Sequence, residues 1–423
     1  MSGTLRAAVL LTGSEIVRGA IADANGAFLA RELTSLGIEP ARWLVVGDRP
    51  DELEAALRES LDADLCVTCG GLGPTHDDRT VETLARVTGR ALVLDAGLEA
   101  EIEGVARAVS ERLKRPFAEF TTGIRKQATL PEGAVSVGLA GTAPAFVLEH
   151  APGRVVASLP GPPGELRRLW PAVLASSAVR GLAARATRPE HRVLRFFALP
   201  ESAVAETVEL AGGEGEGLEL TVCARNFEID VDLRVRPGGE ARADAVEAAL
   251  VERFGDALFA RDERPVAALV LDRCRELGLT LATAESCTGG LVAALLTEIP
   301  GSSDVFLGSV VAYANEVKAA SLGVPEEILA RHGAVSAETA SAMAAGARDR
   351  LEADAAIATT GVAGPGGGTP EKPVGLVYTA VAGPMGERVD ELRLPGSREE
   401  IRLRSAVLSL HGLRRLLAQS PGE

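Results

Sequence analysis

The feature that most constrains this chain is an alternation between two sequence periods. Leu5 to Leu11, Pro40 to Val46 and Asp64 to Thr68 read as strands, and between them Ala24 to Leu36 and Asp51 to Leu61 carry apolar residues at helical spacing. Strands that alternate with helices imply a parallel sheet covered by helices, with ligands bound beyond the carboxyl ends of the strands. Asp23 stands where it can cap the first of these helices and Gly37 where it can stop it. At 423 residues the chain exceeds what one ordinary core uses, so two or three domains are expected.

The strand ends carry the polar chemistry. The third strand runs into Gly70-Gly71-Leu72-Gly73-Pro74-Thr75-His76-Asp77-Asp78-Arg79-Thr80. Glycines admit a phosphate to the backbone and carboxylates hold a hard cation, so this turn fits a phosphate-plus-metal site. Asp48, at the end of the preceding strand, can converge on the same ligand. A Gly-rich turn with solvated acids is the alternative reading. Gly141 to Phe146 and Leu159 to Leu166 are turn-rich segments flanking the strand Arg154 to Leu159. From His191 the pattern changes to a small α+β unit: strand Arg192 to Ala198, helix Ser202 to Ala211, strands Leu218 to Ala224 and Glu228 to Val235, and helix Ala241 to Phe254. Arg261-Asp262-Glu263-Arg264-Pro265 reads as a linker, beyond which a new α/β pattern begins.

In that last region Leu279 to Thr283 leads into Ala284-Glu285-Ser286-Cys287-Thr288-Gly289-Gly290 and then into helix formers, Leu291 to Leu296. A strand-to-helix turn puts Ser286 beside peptide N–H groups that lack intrahelical partners and carry a positive partial charge. Ser286 or Thr288 can also simply cap that helix. Strand Gly308 to Tyr313 runs into a helix bearing Lys318, and strand Asp354 to Thr360 ends at Gly361-Val362-Ala363-Gly364-Pro365-Gly366-Gly367-Gly368-Thr369-Pro370. Val374 to Val381 is a further strand, and Arg398 to Leu417 an amphipathic closing helix. Three strand ends thus offer Ser286, Tyr313 with Lys318, and Thr360 beside a glycine loop.

Composition narrows the partners. A formal net charge of −15 argues against nucleic acid, whose binding relies on clustered Lys and Arg; the loop Gly212 to Gly217 is acidic as well. No apolar run reaches the ~20 residues of a bilayer span, and the N-terminal residues lack signal-peptide character, so a cytoplasmic protein without a membrane partner is expected. Cys66, Cys69, Cys223, Cys274 and Cys287 are scattered, which suits reduced thiols. Cys66 and Cys69 have C-x-x-C spacing but lie within a buried strand, with no second ligand pair nearby.

Taken together, Gly13-Ser14-Glu15-Ile16, Asp23-Ala24-Asn25, Gly70 to Thr80, Gly141-Thr142-Ala143-Pro144, Leu159 to Gly164, Glu285 to Gly290, Tyr313 to Lys318 and Thr360 to Pro370 follow one another as in the CinA (competence/damage-inducible protein A) family, which the chain resembles over nearly its whole length. The resemblance implies three domains: a molybdopterin-binding-like three-layer α/β domain over 1–172, a small KH-type α+β domain over 173–262, and an α/β amidohydrolase domain over 263–423. It implies a homodimeric, bifunctional pyridine-nucleotide salvage enzyme. The last domain would deamidate nicotinamide mononucleotide (NMN), and the first would split ADP-ribose to AMP and ribose 5-phosphate. For the deamidase it puts Ser286 as nucleophile, Lys318 as general base, Tyr313 and Thr360 in support, and Thr288, Gly289, Gly290 and Gly361 around the substrate, with no metal. Amide hydrolysis needs an activated hydroxyl, and with no Ser-His-Asp set visible a Ser–Lys pair serves if burial keeps the lysine neutral. The N–H groups opening the following helix would form the oxyanion hole. Arg402 or Arg404 would meet the nucleotide phosphate. For the first domain it implies a divalent metal, Mg or similar, on Asp48 and Asp78, with Gly70, Gly71, Gly73, Thr75, Thr80 and Asn25 at the substrate. Gly138-Leu139-Ala140 stands where an Asn-Pro commonly precedes Gly-Thr-Ala-Pro, Ala20 replaces a common glutamine, and Ala145 a common glycine. These departures leave open a first domain that binds or senses nucleotide without hydrolysing it.

Overall fold

The computed structural model describes residues 4–419, and the chain divides into two compact units, Met1–Pro189 and Glu190–Glu423. The first is a three-layer α/β unit. Its sheet runs in the order Glu39–Val46, Arg6–Thr12, Leu65–Cys69, Arg154–Leu159, Pro144–Ala151, Val135–Leu139. The first four strands are mutually parallel, as the alternation requires. Pro144–Ala151 runs antiparallel to Arg154–Leu159, because Pro152-Gly153 closes a hairpin too short for a crossover, and Val135–Leu139 runs antiparallel to Pro144–Ala151 in turn. Strand residues alternate between two cores. Val9, Leu11, Val67, Ala157 and Leu159 pack on helices Asn25–Ser35 and Pro163–Ala175, whereas Leu10, Cys66, Phe146 and Val156 pack on helices Pro50–Ser60, Thr80–Thr88 and Ala96–Leu113. Cys66 and Cys69 therefore belong to opposite cores, so the C-x-x-C spacing brings no thiol pair together.

The second unit holds two sheets. A four-stranded antiparallel sheet, ordered Leu218–Arg225, Glu228–Val235, Glu190–Phe197, Leu258–Ala260, packs one face on helices Glu201–Leu210 and Glu240–Phe254. The other sheet is ordered Phe306–Val311, Leu281–Glu285, Ala355–Gly361, Leu376–Gly383, Gly386–Arg393. Its first three strands are parallel, and a hairpin through Pro384-Met385 again adds antiparallel strands. One face is almost pure alanine (Ala282, Ala284, Ala356, Ala358, Ala380, Ala382), which lets helix Ala337–Leu351 lie close. The other face packs on helices Val266–Leu277, Leu291–Thr297 and Arg398–Leu417.

Helix Arg398–Leu417 also ties the two sheets of this unit to each other. Its His411, fully buried, stacks on Phe197 with ring centroids 3.7 Å apart and meets the edge of Phe259. His411 Nε2 lies 2.8 Å from Glu228, and Nδ1 accepts from Arg414 Nε at 3.3 Å. An imidazole that accepts at Nδ1 and donates at Nε2 is neutral. Burial above all pushes its pKa down to about 4, against the pull of Glu228. No helix among the described residues is long and apolar enough to cross a membrane.

Candidate functional site

The strand Leu281–Glu285 ends in the middle of its sheet, between Phe306–Val311 and Ala355–Gly361, so the turn that follows is framed by two neighbouring strand ends. Ser286 N–H donates to the Thr359 carbonyl at 2.9 Å, and the Ala312 N–H donates to the Glu285 carbonyl at 2.8 Å. Helix Asn315–Leu322 starts just beyond the strand Phe306–Val311 and turns Lys318 inward, leaving it 1% exposed. Its Nζ lies 3.1 Å from Ser286 Oγ, 2.8 Å from the Ala312 carbonyl and 3.1 Å from the Tyr313 carbonyl. Two of these partners can only accept. A neutral amine therefore spends both protons on the carbonyls and directs its lone pair at the Ser286 hydroxyl, as a base must. Burial holds the Lys318 amine below the usual lysine range, with Cys287 and Glu316 acting weakly in the opposite sense. The Cys287 thiol is pushed by burial up to about 12, so it stays protonated and unreactive beside Ser286.

Neither Ser286 nor Thr288 caps the next helix. That role falls to Glu285, whose buried carboxylate accepts from the N–H groups of Gly290, Val292 and Ala293 at 2.9, 3.0 and 2.8 Å. Of the N–H groups where the oxyanion hole was expected, those of Gly290, Val292 and Ala293 are therefore already taken by Glu285. The turn N–H groups of Cys287 and Thr288 lie nearer the hydroxyl in sequence. Gly289 and Gly290 take left-handed conformations that make this tight turn possible.

The other expected residues separate into two groups. Thr288 is buried, with its hydroxyl 2.6 Å from that of Thr359, and its carbonyl accepts from Arg402 Nη2 at 2.7 Å. Arg404, two residues on, is bound to the Pro395 carbonyl and to Glu400, so Arg402 is the arginine that reaches the Ser286 turn. Tyr313 contributes its carbonyl to Lys318, but its exposed side chain turns away, with the hydroxyl 3.0 Å from Arg398 Nη2. Thr360 donates its hydroxyl to the Ala334 carbonyl at 2.6 Å. A Cβ on Gly361 would stand 2.7 Å from the Leu376 carbonyl, so strand packing accounts for this glycine. Arg398, one helical turn before Arg402, escaped the sequence reading; it also donates to the Gly364 carbonyl at 2.6 Å. Its i, i+4 spacing from Arg402 was the available signal.

In the first unit a cleft of ≈ 380 Å³ opens at the carboxyl ends of the parallel strands, and both Asp48 and Asp78 line it with Gly70, Gly71, Gly73 and Thr75. Asp48 Oδ2 accepts from the Ser14 N–H at 3.0 Å and from its hydroxyl at 2.6 Å. Asp78 Oδ2 accepts from the Thr75 N–H at 2.9 Å and from the Thr75 hydroxyl, while Lys126 Nζ grips the carbonyls of Thr75 and Asp78 from behind. Glu15, Asp77 and Glu165 line the same cleft and were not assigned a role from the sequence; their positions beside strand ends were the signal. Every charged residue in the lining is an acid. Such a donor set fits a hard divalent cation, which an anionic ligand would need in order to enter. Thr80 and Asn25 play a different part. Thr80 is fully buried and donates to the Gly70 carbonyl at 2.9 Å. The Asn25 amide donates to the Gly161 carbonyl at 2.7 Å and approaches Cys69 Sγ. Both bond to carbonyls of residues that line the cleft, Gly70 and Gly161.

The fold and these two sites define a molybdopterin-binding-type α/β unit joined to an α/β unit with a buried Ser–Lys pair. The family profile of the probable molybdopterin binding domain matches residues 8–178, and that of the CinA C-terminal domain matches residues 263–417. The chain is 45% identical over 421 residues to the CinA-like protein of Mycolicibacterium vanbaalenii, covering 97% of this chain and 98% of that one. It is 42% identical to the CinA-like protein of Mycobacterium tuberculosis over the full length of both. The crystal structure of the competence/damage inducible protein CihA from Agrobacterium tumefaciens is 44% identical and spans 37% of this chain and 99% of its own, with a TM-score of 0.35. This chain belongs to the CinA family.

Proposed function

We propose that the second unit hydrolyses the carboxamide of NMN to nicotinic acid mononucleotide and ammonia, through Ser286 and Lys318. The observation that carries this reading is the buried amine, held below its usual pKa, 3.1 Å from a serine hydroxyl. Neutral Lys318 takes the hydroxyl proton as Ser286 Oγ attacks the amide carbon. The oxyanion takes the place of the Cys287 sulfur on the turn N–H groups of Cys287 and Thr288. Lys318 then returns the proton to the leaving nitrogen, ammonia departs, and water hydrolyses the resulting ester with Lys318 again as base. Arg402, with Arg398 a turn away, supplies positive charge for the nucleotide phosphate. The two carbonyl acceptors on Lys318 Nζ keep its remaining position aimed at Ser286, as a lone pair before the proton moves and as an N–H after it.

For the first unit we infer cleavage of the pyrophosphate of ADP-ribose to give AMP and ribose 5-phosphate. A divalent cation on Asp48 and Asp78 would offset the phosphate charge there. The chain's own residues hold the acids in place through Ser14, Thr75 and Lys126 and keep the glycine turn open to the ligand. The deciding experiment incubates purified protein with NMN and with ADP-ribose separately and follows ammonia and AMP. Ammonia from NMN that disappears in Ser286→Ala is the expected result, and ammonia release unchanged in that variant overturns the Ser–Lys assignment. AMP release tests the first unit independently, and ligand binding without AMP would make it a nucleotide-binding module. We also expect the family's homodimer and a cytoplasmic location.

A further inference from the structure

The four-stranded sheet of the second unit has two faces of different character. Leu194, Phe196, Ile229, Val231 and Leu233 point into its core. The alternate residues of the same strands, His191 and Arg195 on one and Glu228, Asp230 and Asp232 on its neighbour, share the opposite face. The segment 261–265 passes over that face on its way to helix Val266–Leu277. Arg195, 4% exposed, fixes its course: it donates to the Arg264 carbonyl at 2.5 Å while pairing with Glu228 at 2.8 Å and Asp230 at 2.7 Å. Glu263 is thereby brought beside His191 and Asp232, and one ligating atom from each of the three lies within 4.8 Å of the others. His191 Nε2 is 2.6 Å from Asp232 Oδ2, while Asp232 Oδ1 faces Arg234 Nε at 3.3 Å. Among the described residues no basic side chain pairs with Glu263. Arg234 meets part of the Asp232 charge, but Glu263 lacks such a partner among the described residues, and a cation shared by the two carboxylates would relieve their repulsion.

We propose that His191, Asp232 and Glu263 bind a divalent cation of the zinc class, which fastens the 261–265 segment to the sheet. An imidazole nitrogen with carboxylate oxygens suits zinc and its transition-metal neighbours better than magnesium or calcium. Three protein ligands leave a fourth position for water. Ligand atoms around a tetrahedral centre at ~2.1 Å stand about 3.4 Å apart, so the His191–Asp232 contact opens by under about 1 Å as the cation enters. His191 and Glu263 are exposed, which gives the ion a direct path from solvent. The site is separate from the Asp48–Asp78 cleft and independent of both activities proposed above.

The test titrates metal-free full-length protein with Zn2+ while excess Mg2+ occupies the oxygen-lined cleft, and follows binding by calorimetry. We expect a tight zinc equivalent in the parent that is lost in His191→Ala and in Glu263→Gln but kept in Asp78→Ala. X-ray absorption of the zinc-loaded parent should report imidazole nitrogen in the first shell. Zinc should also slow proteolysis within 261–265 in the parent alone. The proposal fails if both variants bind zinc as the parent does, if the first shell is oxygen only, or if zinc leaves proteolysis of the segment unchanged.

Discussion

The cleft of the first unit and the Ser286 turn of the second both lie where parallel strands end, yet they are charged in opposite ways. The cleft is wide, glycine-floored and lined by five acids, Glu15, Asp48, Asp77, Asp78 and Glu165. The Ser286 turn is closed, and the group against its hydroxyl is an amine buried to 1% exposure. On the functions proposed above, an anion would enter the first only with a cation, whereas the second would work only once its own cation has lost a proton. On that reading the same strand-end architecture would yield one site governed by metal and another governed by pH.

Substitution, pH and chelation would each break or sharpen this contrast. The largest effect is expected from Ser286→Ala, which should lower NMN deamidation by a factor on the order of 10⁴ or more and leave ADP-ribose cleavage at the parental rate in a coupled AMP assay. Lys318→Ala should cost about 10²–10⁴-fold in the same deamidation. In the parent the deamidation rate should rise with pH, because the amine becomes a base as pH passes its lowered pKa; a flat profile from acid to neutral would remove Lys318 from the base role. Asp78→Ala or treatment with EDTA should abolish metal-dependent AMP release while ammonia release continues unchanged, and loss of both activities would mean that the sites are not independent. The smallest effect is expected from Arg402→Ala, which should raise the KM for NMN by about tenfold, the scale of one charge-assisted hydrogen bond. Arg404→Ala, which removes a side chain tied to Pro395 and Glu400, should leave KM alone.

The sequence made the strand ends legible because glycine, hydroxyl and acid residues interrupt apolar runs at those points, and Ser286, Lys318, Asp48 and Asp78 were all found there. What it hid depends on direction in space. Lys318 lies in a helix of ordinary polar composition, so its burial beneath the Ser286 turn could be learned only from the packing. Glu285 looked like part of the motif, although its carboxylate is turned back to cap helix Leu291–Thr297. Arg402 and Arg404 could not be told apart by spacing, since residues two apart on a helix point in widely different directions and the sequence does not say which faces the turn. The antiparallel flanks of both large sheets escaped the strand–helix alternation, because no helix separates these strands: short Pro-containing hairpins join Pro144–Ala151 to Arg154–Leu159 and Leu376–Gly383 to Gly386–Arg393.

His411 gives the second unit an internal gauge. Its ring is sealed between Phe197 and Phe259, residues that precede Val266, so a fragment beginning at Val266 would open it to water. In the intact protein the imidazole titrates near 4 rather than at its ordinary 6.5. The folded form thus binds fewer protons than the unfolded form between these values, and stability present in full above pH 6.5 drains away as pH falls towards 4, by roughly 3 kcal/mol in all. The nuclear magnetic resonance signals of that ring, followed through an acid titration, would therefore read out whether the closing helix is seated on the four-stranded sheet or has come away from it.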